Sequence, residues 1–265
     1  MDSNNTSSGF EYKNKGQETP FETFLRYTNE KEKSSTQLAV ILQDLLDDES
    51  KILDIGTGNG EYLHLTLAKI SGLQKYDLTL LEPSEDLSTQ LQSRFEGIVG
   101  KKQIHVATST LTDFISEDKF DIILASHLFY HLPRRNWAVD LSRMVSLLKP
   151  GGVLIIVLRE KDDAYTFKTQ FKPLLFSSFT RALLLDDVLE TLPGNVEIEK
   201  YLAASELNIP YKSNEDDTIS IIEFYLNKKW HDIPLSIQKN VLDFIEAHKG
   251  SFKQLDGIAV VKKKR

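Results

Sequence analysis

The stretch ILDIGTGNGEY, residues 52–62, places three glycines at alternate positions directly after an apolar run. They are Gly56, Gly58 and Gly60, and the acidic Asp54 precedes them. Glycine lets a chain turn sharply and approach a ligand without a Cβ in the way, and a following helix directs N–H groups into the loop. A loop of this kind suits a nucleotide-like ligand.

A second acidic residue, Glu82, closes the run DLTLLE about 20 residues beyond the glycine loop. A carboxylate at a strand end there can accept hydrogen bonds from both hydroxyls of a ribose, although solvated carboxylates at strand ends are also common. Glu61 stands where a dinucleotide fingerprint, G-x-G-x-x-G, needs its third glycine. This spacing disfavours a dinucleotide.

Histidines and aromatic residues follow another apolar run, FDIILAS, in the stretch His127, Phe129, Tyr130 and His131. Such residues beside a strand end often belong to the packed interior. Two histidines and two aromatic rings within five positions also suit a small cationic or aromatic ligand. If that ligand must lose a proton, His127 or His131 is the candidate general base, since histidine titrates near neutral pH.

Short apolar runs alternate with helical periodicity from residue 51 to residue 158, which predicts an α/β fold with a mainly parallel, doubly wound sheet. A capping box, Thr19 with Glu22 around Pro20, predicts a helix before this region, and Leu38, Ile41 and Leu45 indicate a second. The predicted strands cover 51–56, 77–82, 103–107, 120–126, 152–158, 196–202 and 257–261.

The domain prediction is one domain over residues 19–265, preceded by a disordered tail over 1–18, which is polar and has little apolar surface to bury. Residues 51–158 form the predicted ligand-binding core. The segments 19–50 and 159–254 are predicted to form a lid over the substrate.

Composition narrows the classes of partner. The 265 residues are 40% hydrophobic and carry a formal net charge of −7, which argues against binding to a phosphate backbone. No cysteine is present, so disulfides and zinc-thiolate sites are excluded. No apolar run has the length of a membrane span, and the first residues do not resemble a signal peptide. We expect a cytoplasmic monomer that binds a small molecule, with no nucleic acid and no membrane partner.

The glycine loop, Glu82, the segment 120–132 and the sequence LLKPGG at 147–152 occur in the order typical of the class I S-adenosylmethionine-dependent methyltransferases, which the chain resembles. The resemblance implies a Rossmann-like, seven-stranded, mostly parallel sheet between helices and S-adenosylmethionine as cofactor. It also assigns residues to that cofactor: Gly56, Gly58 and Gly60 to its methionine and ribose, Asp54 to the loop or the amino group, Glu82 to the ribose, Thr110 and Leu111 to adenine, and Ser126 with His127 to the border between cofactor and substrate.

Within that class the chain resembles the histamine N-methyltransferases, through FETFLRYTNE at 21–30, LLEPSEDL at 80–87, the segment 127–148 and SFKQLDGIAVV near the end of the chain. The resemblance implies that Glu30 binds the substrate amine, although a solvated Glu30 beside Lys31 and Lys33 is the alternative. His127 stands where that family has glutamine, which puts histamine itself in doubt. The predicted substrate residues are Phe21, Glu30, His127, Tyr130 and Gln254.

The predicted function is therefore transfer of a methyl group from S-adenosylmethionine to a small molecule, at a nitrogen of an amine or imidazole compound. Two alternatives remain at this point: a small-molecule O-methyltransferase, and a protein that binds S-adenosylmethionine without catalysis. Methyl transfer is an in-line displacement that depends on alignment and exclusion of water, so no metal is predicted.

Overall fold

The alternating stretches form a seven-stranded mixed sheet in the computed structural model, which describes residues 18–47, 49–71, 75–96, 101–178 and 181–263. The strands are β1 (Lys51–Ile55), β2 (Tyr76–Leu81), β3 (Lys101–Ala107), β4 (Phe120–Ser126), β5 (Leu148–Arg159), β6 (Val196–Asn208) and β7 (Ser251–Lys263). Their order across the sheet is β3-β2-β1-β4-β5-β7-β6. The predicted Rossmann-like fold is confirmed.

Nine α-helices lie within the described residues. They are α1 (Pro20–Tyr27), α2 (Glu30–Leu45), α3 (Glu61–Leu67), α4 (Glu85–Phe95), α5 (Trp137–Leu147), α6 (Asp163–Leu175), α7 (Leu185–Leu189), α8 (Glu215–Leu226) and α9 (Leu235–Ala247). Short 3-10 helices cover Leu128–Tyr130, Arg134–Asn136 and Trp230–Asp232. No helix in the described part of the chain is both long and apolar enough to cross a membrane.

The capping box predicted before α1 is present: the Thr19 hydroxyl accepts from the Glu22 N–H, and the Glu22 carboxylate accepts from the Thr19 N–H. Helix α2 begins at Glu30, well before Leu38, the first of the residues that indicated it, and the Thr28 hydroxyl accepts the Glu30 N–H at 3.1 Å. The predicted disordered tail lies outside the described residues except for Glu18, whose carboxylate pairs with Arg26 at 2.8 Å.

The strand register brings three strand ends to one edge of the sheet. In β1, Asp54 pairs in parallel with Leu80 of β2 on one side and with Leu124 of β4 on the other. The residues just beyond these strands, the glycine loop, Glu82 and His127, therefore emerge at the same carboxyl edge. Ligands of open parallel sheets bind at such an edge.

The described residues divide into two compact units. The larger unit holds 34–158, 185–203 and 257–263, and its apolar core lies between the sheet and α2, α3 and α4. The smaller unit holds 18–33, 159–184 and 204–256, and aromatic side chains dominate its core. Thus α2 from residue 34 onward and residues 185–203 pack with the larger unit, whereas the sequence assigned them to the lid. That the lid segments cover a substrate stays a prediction.

Candidate active site

The three glycines of the loop after β1 all have positive φ values, between 61° and 76°, which side chains of L-residues rarely adopt. Their surroundings differ. A Cβ on Gly60 would lie 2.7 Å from a ring carbon of Phe95, whereas a Cβ on Gly58 would meet nothing within 4 Å. Gly60 therefore serves packing against α4, and Gly58 is the glycine with open space for a ligand.

Glu82 joins the glycine loop to the end of β2. Its carboxylate accepts the N–H of Gly58 at 2.8 Å and the N–H of Ser84 at 3.0 Å, and the side chain is 7% exposed. A carboxylate has about four lone-pair positions, so acceptor capacity remains for the hydroxyls of a ribose. The hydrogen bonds fix the direction of this carboxylate before any ligand binds.

Asp54 lies in β1 beneath the loop and is 5% exposed. Burial is the main cause that raises the pKa of Asp54 to about 7; a hydrogen bond with the Thr57 side chain opposes the shift, and the nearby Glu82 carboxylate adds to it. The hydroxyl of Thr57 donates to the main-chain oxygen of Asp54 at 3.0 Å, which closes the turn. Asp54 is therefore placed where it can support the loop. Its contact with the amino group of a ligand stays a prediction.

The predicted adenine residues follow β3, whose last residue, Ala107, pairs with Leu81 of β2. Thr110 is exposed, and its hydroxyl donates to Asp113 at 2.7 Å, while Leu111 is buried. Their contact with adenine stays a prediction. Ser126 ends β4 and is half-buried beside Val157 of β5, at the same edge as the glycine loop.

His127 follows Ser126 with a φ of +53°, an unusual value for a residue other than glycine. Its N–H donates to the Val157 carbonyl at 2.8 Å, which holds this conformation. The imidazole lies 6.0 Å from the Tyr130 ring in a stacked arrangement and 6.1 Å from the Tyr62 ring, edge to face. Positive φ values of this kind in residues other than glycine are often found at functional sites. The predicted His127 and Tyr130 are therefore brought together.

His131 completes this group. Desolvation lowers the pKa of His131 below its ordinary value of 6.5; the nearby Glu82 carboxylate opposes the shift, and His127 adds to it. The neutral imidazole, which can accept a proton, is therefore the favoured form at neutral pH.

In the smaller unit, Glu30 forms an ion pair with Arg159, the last residue of β5. Arg159 also lies 3.3 Å from Asp162 and 4.0 Å from Asp256, so three carboxylates surround one guanidinium. All four side chains are largely or fully buried. The alternative of a solvated Glu30 is wrong. Binding of a substrate amine by Glu30 stays a prediction, and any such amine would meet a carboxylate already paired with Arg159.

The other predicted substrate residues of this unit lie in its interior. Gln254 is 0% exposed, accepts from the Thr28 hydroxyl at 2.5 Å and donates to the Tyr225 hydroxyl at 2.9 Å. Phe21 is half-buried, with its ring 5.5 Å from that of Phe224. Both side chains thus hold the unit together, and their contact with a substrate stays a prediction.

Comparison with known proteins decides the family. A model of a methyltransferase domain matches residues 26–213, more than half of the chain. The chain belongs to this methyltransferase family. The methyltransferase is 29% identical over 117 residues to cyclosporin synthetase of Tolypocladium inflatum, a stretch that covers 42% of this chain and 1% of the synthetase. It therefore spans only a small fraction of the length of that relative.

Solved structures agree on the fold. A methyltransferase structure from Bacillus halodurans is 20% identical with a TM-score of 0.57, and the match covers 87% of this methyltransferase and 100% of that chain. The N-methyltransferase NodS from Bradyrhizobium japonicum, in complex with S-adenosylhomocysteine, is 13% identical with a TM-score of 0.50, and the match covers 94% and 89% of the two chains. The methyltransferase is an enzyme that uses S-adenosylmethionine.

The residues of this methyltransferase fit that cofactor. The fixed carboxylate of Glu82 has the acceptors that ribose hydroxyls require, and the open space beside Gly58 leaves room for a ligand close to the backbone. When bound, S-adenosylmethionine supplies an electrophilic methyl group on a sulfonium sulfur.

Two residues of interest were missed in the sequence. Tyr62 is the second residue of α3, where an aromatic side chain is expected to pack against the helix's neighbours, so its position alone does not indicate a site residue. Arg159 was missed although it directly follows the apolar run GVLIIVL, and a charged residue at the end of a buried strand is a usable signal.

Proposed function

We propose that this S-adenosylmethionine-dependent methyltransferase methylates a nitrogen atom of a small amine or imidazole compound, in the manner of the histamine N-methyltransferases that its sequence resembles. The observation that carries the proposal is the group formed by His127, Tyr130 and His131 at the carboxyl edge of β4, beside the cofactor residues.

The chemistry of this group supports a nitrogen acceptor. The ring face of tyrosine attracts a positive charge, and nitrogen becomes positively charged as it gains a methyl group. A neutral imidazole nitrogen attacks without prior loss of a proton. A protonated amine must lose one first, and His131, whose pKa is lowered, is the proposed acceptor of that proton, with His127 as the second candidate.

The chain's residues have separate tasks in this proposal. Glu82 holds the ribose of the cofactor, and the loop from Gly56 to Gly60 lets the cofactor approach the backbone. The aromatic side chains exclude water from the attacking nitrogen and orient it in line with the methyl group. Glu30 remains the proposed partner of a cationic group on the acceptor.

An acceptor panel tests the proposal. The enzyme is incubated with S-adenosylmethionine carrying a labelled methyl group and with matched sets of amines, imidazoles, phenols and carboxylates, and the products are identified by mass spectrometry. We expect label on nitrogen. Label on phenols or carboxylates alone would favour the O-methyltransferase alternative, for which the same histidines would serve as base. The cytoplasmic location and the monomeric state stay predictions.

A further inference from the structure

Three rings, those of Tyr62, His127 and Tyr130, form a group at the carboxyl edge of the sheet that we term the ring cluster. The ring centroids of Tyr62 and His127 are 6.1 Å apart with planes at 79°, and those of His127 and Tyr130 are 6.0 Å apart with planes at 12°. The Tyr62 ring thus stands at a right angle to a nearly parallel pair. Faces of tyrosine rings attract ammonium groups, and cages built from such aromatic faces bind methylated ammonium groups in other proteins.

The ring cluster is held in place from two sides. The Tyr62 hydroxyl is 2.8 Å from the hydroxyl of Ser34, which is 1% exposed on α2. His127 is fixed by its N–H bond to Val157, and Tyr130 ends the 3-10 helix that follows. Tyr62 is also two residues beyond Gly60, so one end of the ring cluster is attached to the glycine loop. Groups fixed before reaction stabilise a developing charge without the cost of reorganisation.

We propose that the ring cluster stabilises the positive charge that develops on the acceptor nitrogen, and that the nitrogen remains an acceptor after it has gained a first methyl group. The inference rests on the proposed function, because it presumes a nitrogen acceptor. A hydrogen bond to a carboxylate or carbonyl requires an N–H group, and each methyl group replaces one. A ring face requires only positive charge, so methylated amines are stabilised as well as unmethylated ones.

Each round of methylation transfers one methyl group by the same bond changes. The nitrogen lone pair forms the new N–CH3 bond, and the S–CH3 bond breaks with its electron pair retained by sulfur. The nitrogen then loses a proton to a base before the next round, and one S-adenosylmethionine is consumed each time. Methylation ends when the nitrogen has no lone pair left, that is, at the quaternary ammonium.

The first test measures binding without turnover. Choline, which carries a trimethylammonium group, and its uncharged isostere 3,3-dimethyl-1-butanol are titrated by calorimetry into the full chain saturated with S-adenosylhomocysteine. We expect choline to bind about tenfold more tightly, Tyr62→Leu to abolish that preference, and Tyr62→Phe, which keeps the ring but loses the bond to Ser34, to retain most of it. Equal binding of the two ligands, or a preference unaffected by Tyr62→Leu, would overturn the inference.

The second test follows methylation state. An amine that reacts in the acceptor panel is compared with its monomethyl and dimethyl forms, and we expect all forms that retain a lone pair to react, with Tyr62→Leu lowering kcat more than it raises KM. Reaction of the unmethylated amine alone overturns this inference but leaves the proposed function intact, whereas transfer only to oxygen overturns the proposed function. If Tyr62→Leu weakens binding of S-adenosylmethionine but not of S-adenosylhomocysteine, the rings serve the sulfonium and the inference is wrong.

Discussion

The N–H of Gly58 donates to a carboxylate oxygen of Glu82 at 2.8 Å, which joins the glycine loop after β1 to the residue after β2. The bond brings together the two features that most strongly indicated a nucleoside-containing ligand. It also makes the two residues interdependent, because a change at Glu82 alters the loop as well as the predicted ribose site.

Replacement of Glu82 by glutamine should weaken binding of S-adenosylmethionine by about 10- to 100-fold, equivalent to ~1.5–3 kcal/mol for hydrogen bonds to a charged group. The amide also places an NH2 group against one of two N–H donors, those of Gly58 and Ser84. Calorimetry measures the affinity. Glu85→Gln, three residues along on the exposed start of α4, is the matched control. Unchanged affinity of the Glu82 variant would remove the ribose assignment.

Alanine substitutions should separate the roles of Gly58 and Gly60. At Gly58 the added methyl group meets only the backbone strain of a positive φ, about 1–2 kcal/mol. At Gly60 the methyl group also collides with Phe95 and Leu91, and overpacking adds roughly 1–3 kcal/mol. In urea titrations we expect Gly60→Ala to lower the free energy of unfolding more than Gly58→Ala does. Relative to its loss of stability, Gly58→Ala should lose more affinity for the cofactor than Gly60→Ala does. The reverse order would show that Gly58 does not face the ligand.

The loop and strands of the larger unit could be predicted from the sequence because the patterns that indicate them are local. The spacing of Gly56, Gly58 and Gly60 reflects backbone angles set within the loop, and the run FDIILAS matches β4 at both ends because nearly every residue is buried. The long strands β6 and β7 were predicted too short. In β6 the residues beyond 202, AASELN, include no β-branched or aromatic side chain, so they do not indicate a strand although Ala203, Ser205 and Leu207 are buried.

The site in the smaller unit could be predicted only in part, because it depends on contacts between distant segments. Glu30 was singled out by resemblance, but its pairing with Arg159 joins residues 129 positions apart and has no local pattern. Gln254 was chosen as a substrate residue, and its complete burial between Thr28 and Tyr225 follows from the packing of this unit.

If His131 is the general base, the pH profile should show it. A base acts in its neutral form, so kcat/KM falls as pH decreases through the pKa of His131, and because that pKa is lowered the fall should lie below pH 6.5. The variant His131→Asn should lose this limb together with most of the rate for acceptors that carry a proton, while a neutral imidazole acceptor is affected less. His105→Asn, on β3, is the control. If the acidic limb of the kcat/KM profile persists in His131→Asn, another residue is the base.

Asp54 should make the stability of the protein depend on pH. Its pKa is about 7 in the folded state and near 3.8 in the unfolded chain, so the folded state binds the proton more tightly. The free energy of unfolding contributed by Asp54 is therefore present at low pH and is lost as pH rises from about 4 to about 7. Urea unfolding at pH 5 and pH 8 should show wild type losing stability relative to Asp54→Asn. Parallel behaviour of the two proteins would contradict the raised pKa.

The two members of the Glu30–Arg159 pair should respond differently to neutral substitutions. Arg159→Met leaves three buried carboxylates without their shared cation and should destabilise the protein by about 3–5 kcal/mol. Glu30→Gln leaves Arg159 with Asp162 and Asp256, so the free energy of unfolding should fall by less than in Arg159→Met, by about 1.5–3 kcal/mol for one hydrogen bond to a charged group. If Glu30 binds the acceptor, Glu30→Gln should also raise KM for the best amine at least tenfold. An unchanged KM confines Glu30 to a structural role.

The contact between Tyr27 and Asp217 links α1 to α8 across 190 positions of the chain, with the tyrosine hydroxyl 2.6 Å from the carboxylate. Helix α1 packs on α8, and the core of the smaller unit joins Phe24 to Phe252. During synthesis on the ribosome, α1 is therefore made long before the partner that buries its aromatic face. The smaller unit should complete its folding late and slowly, because closing so long a loop must precede the contacts that reward it.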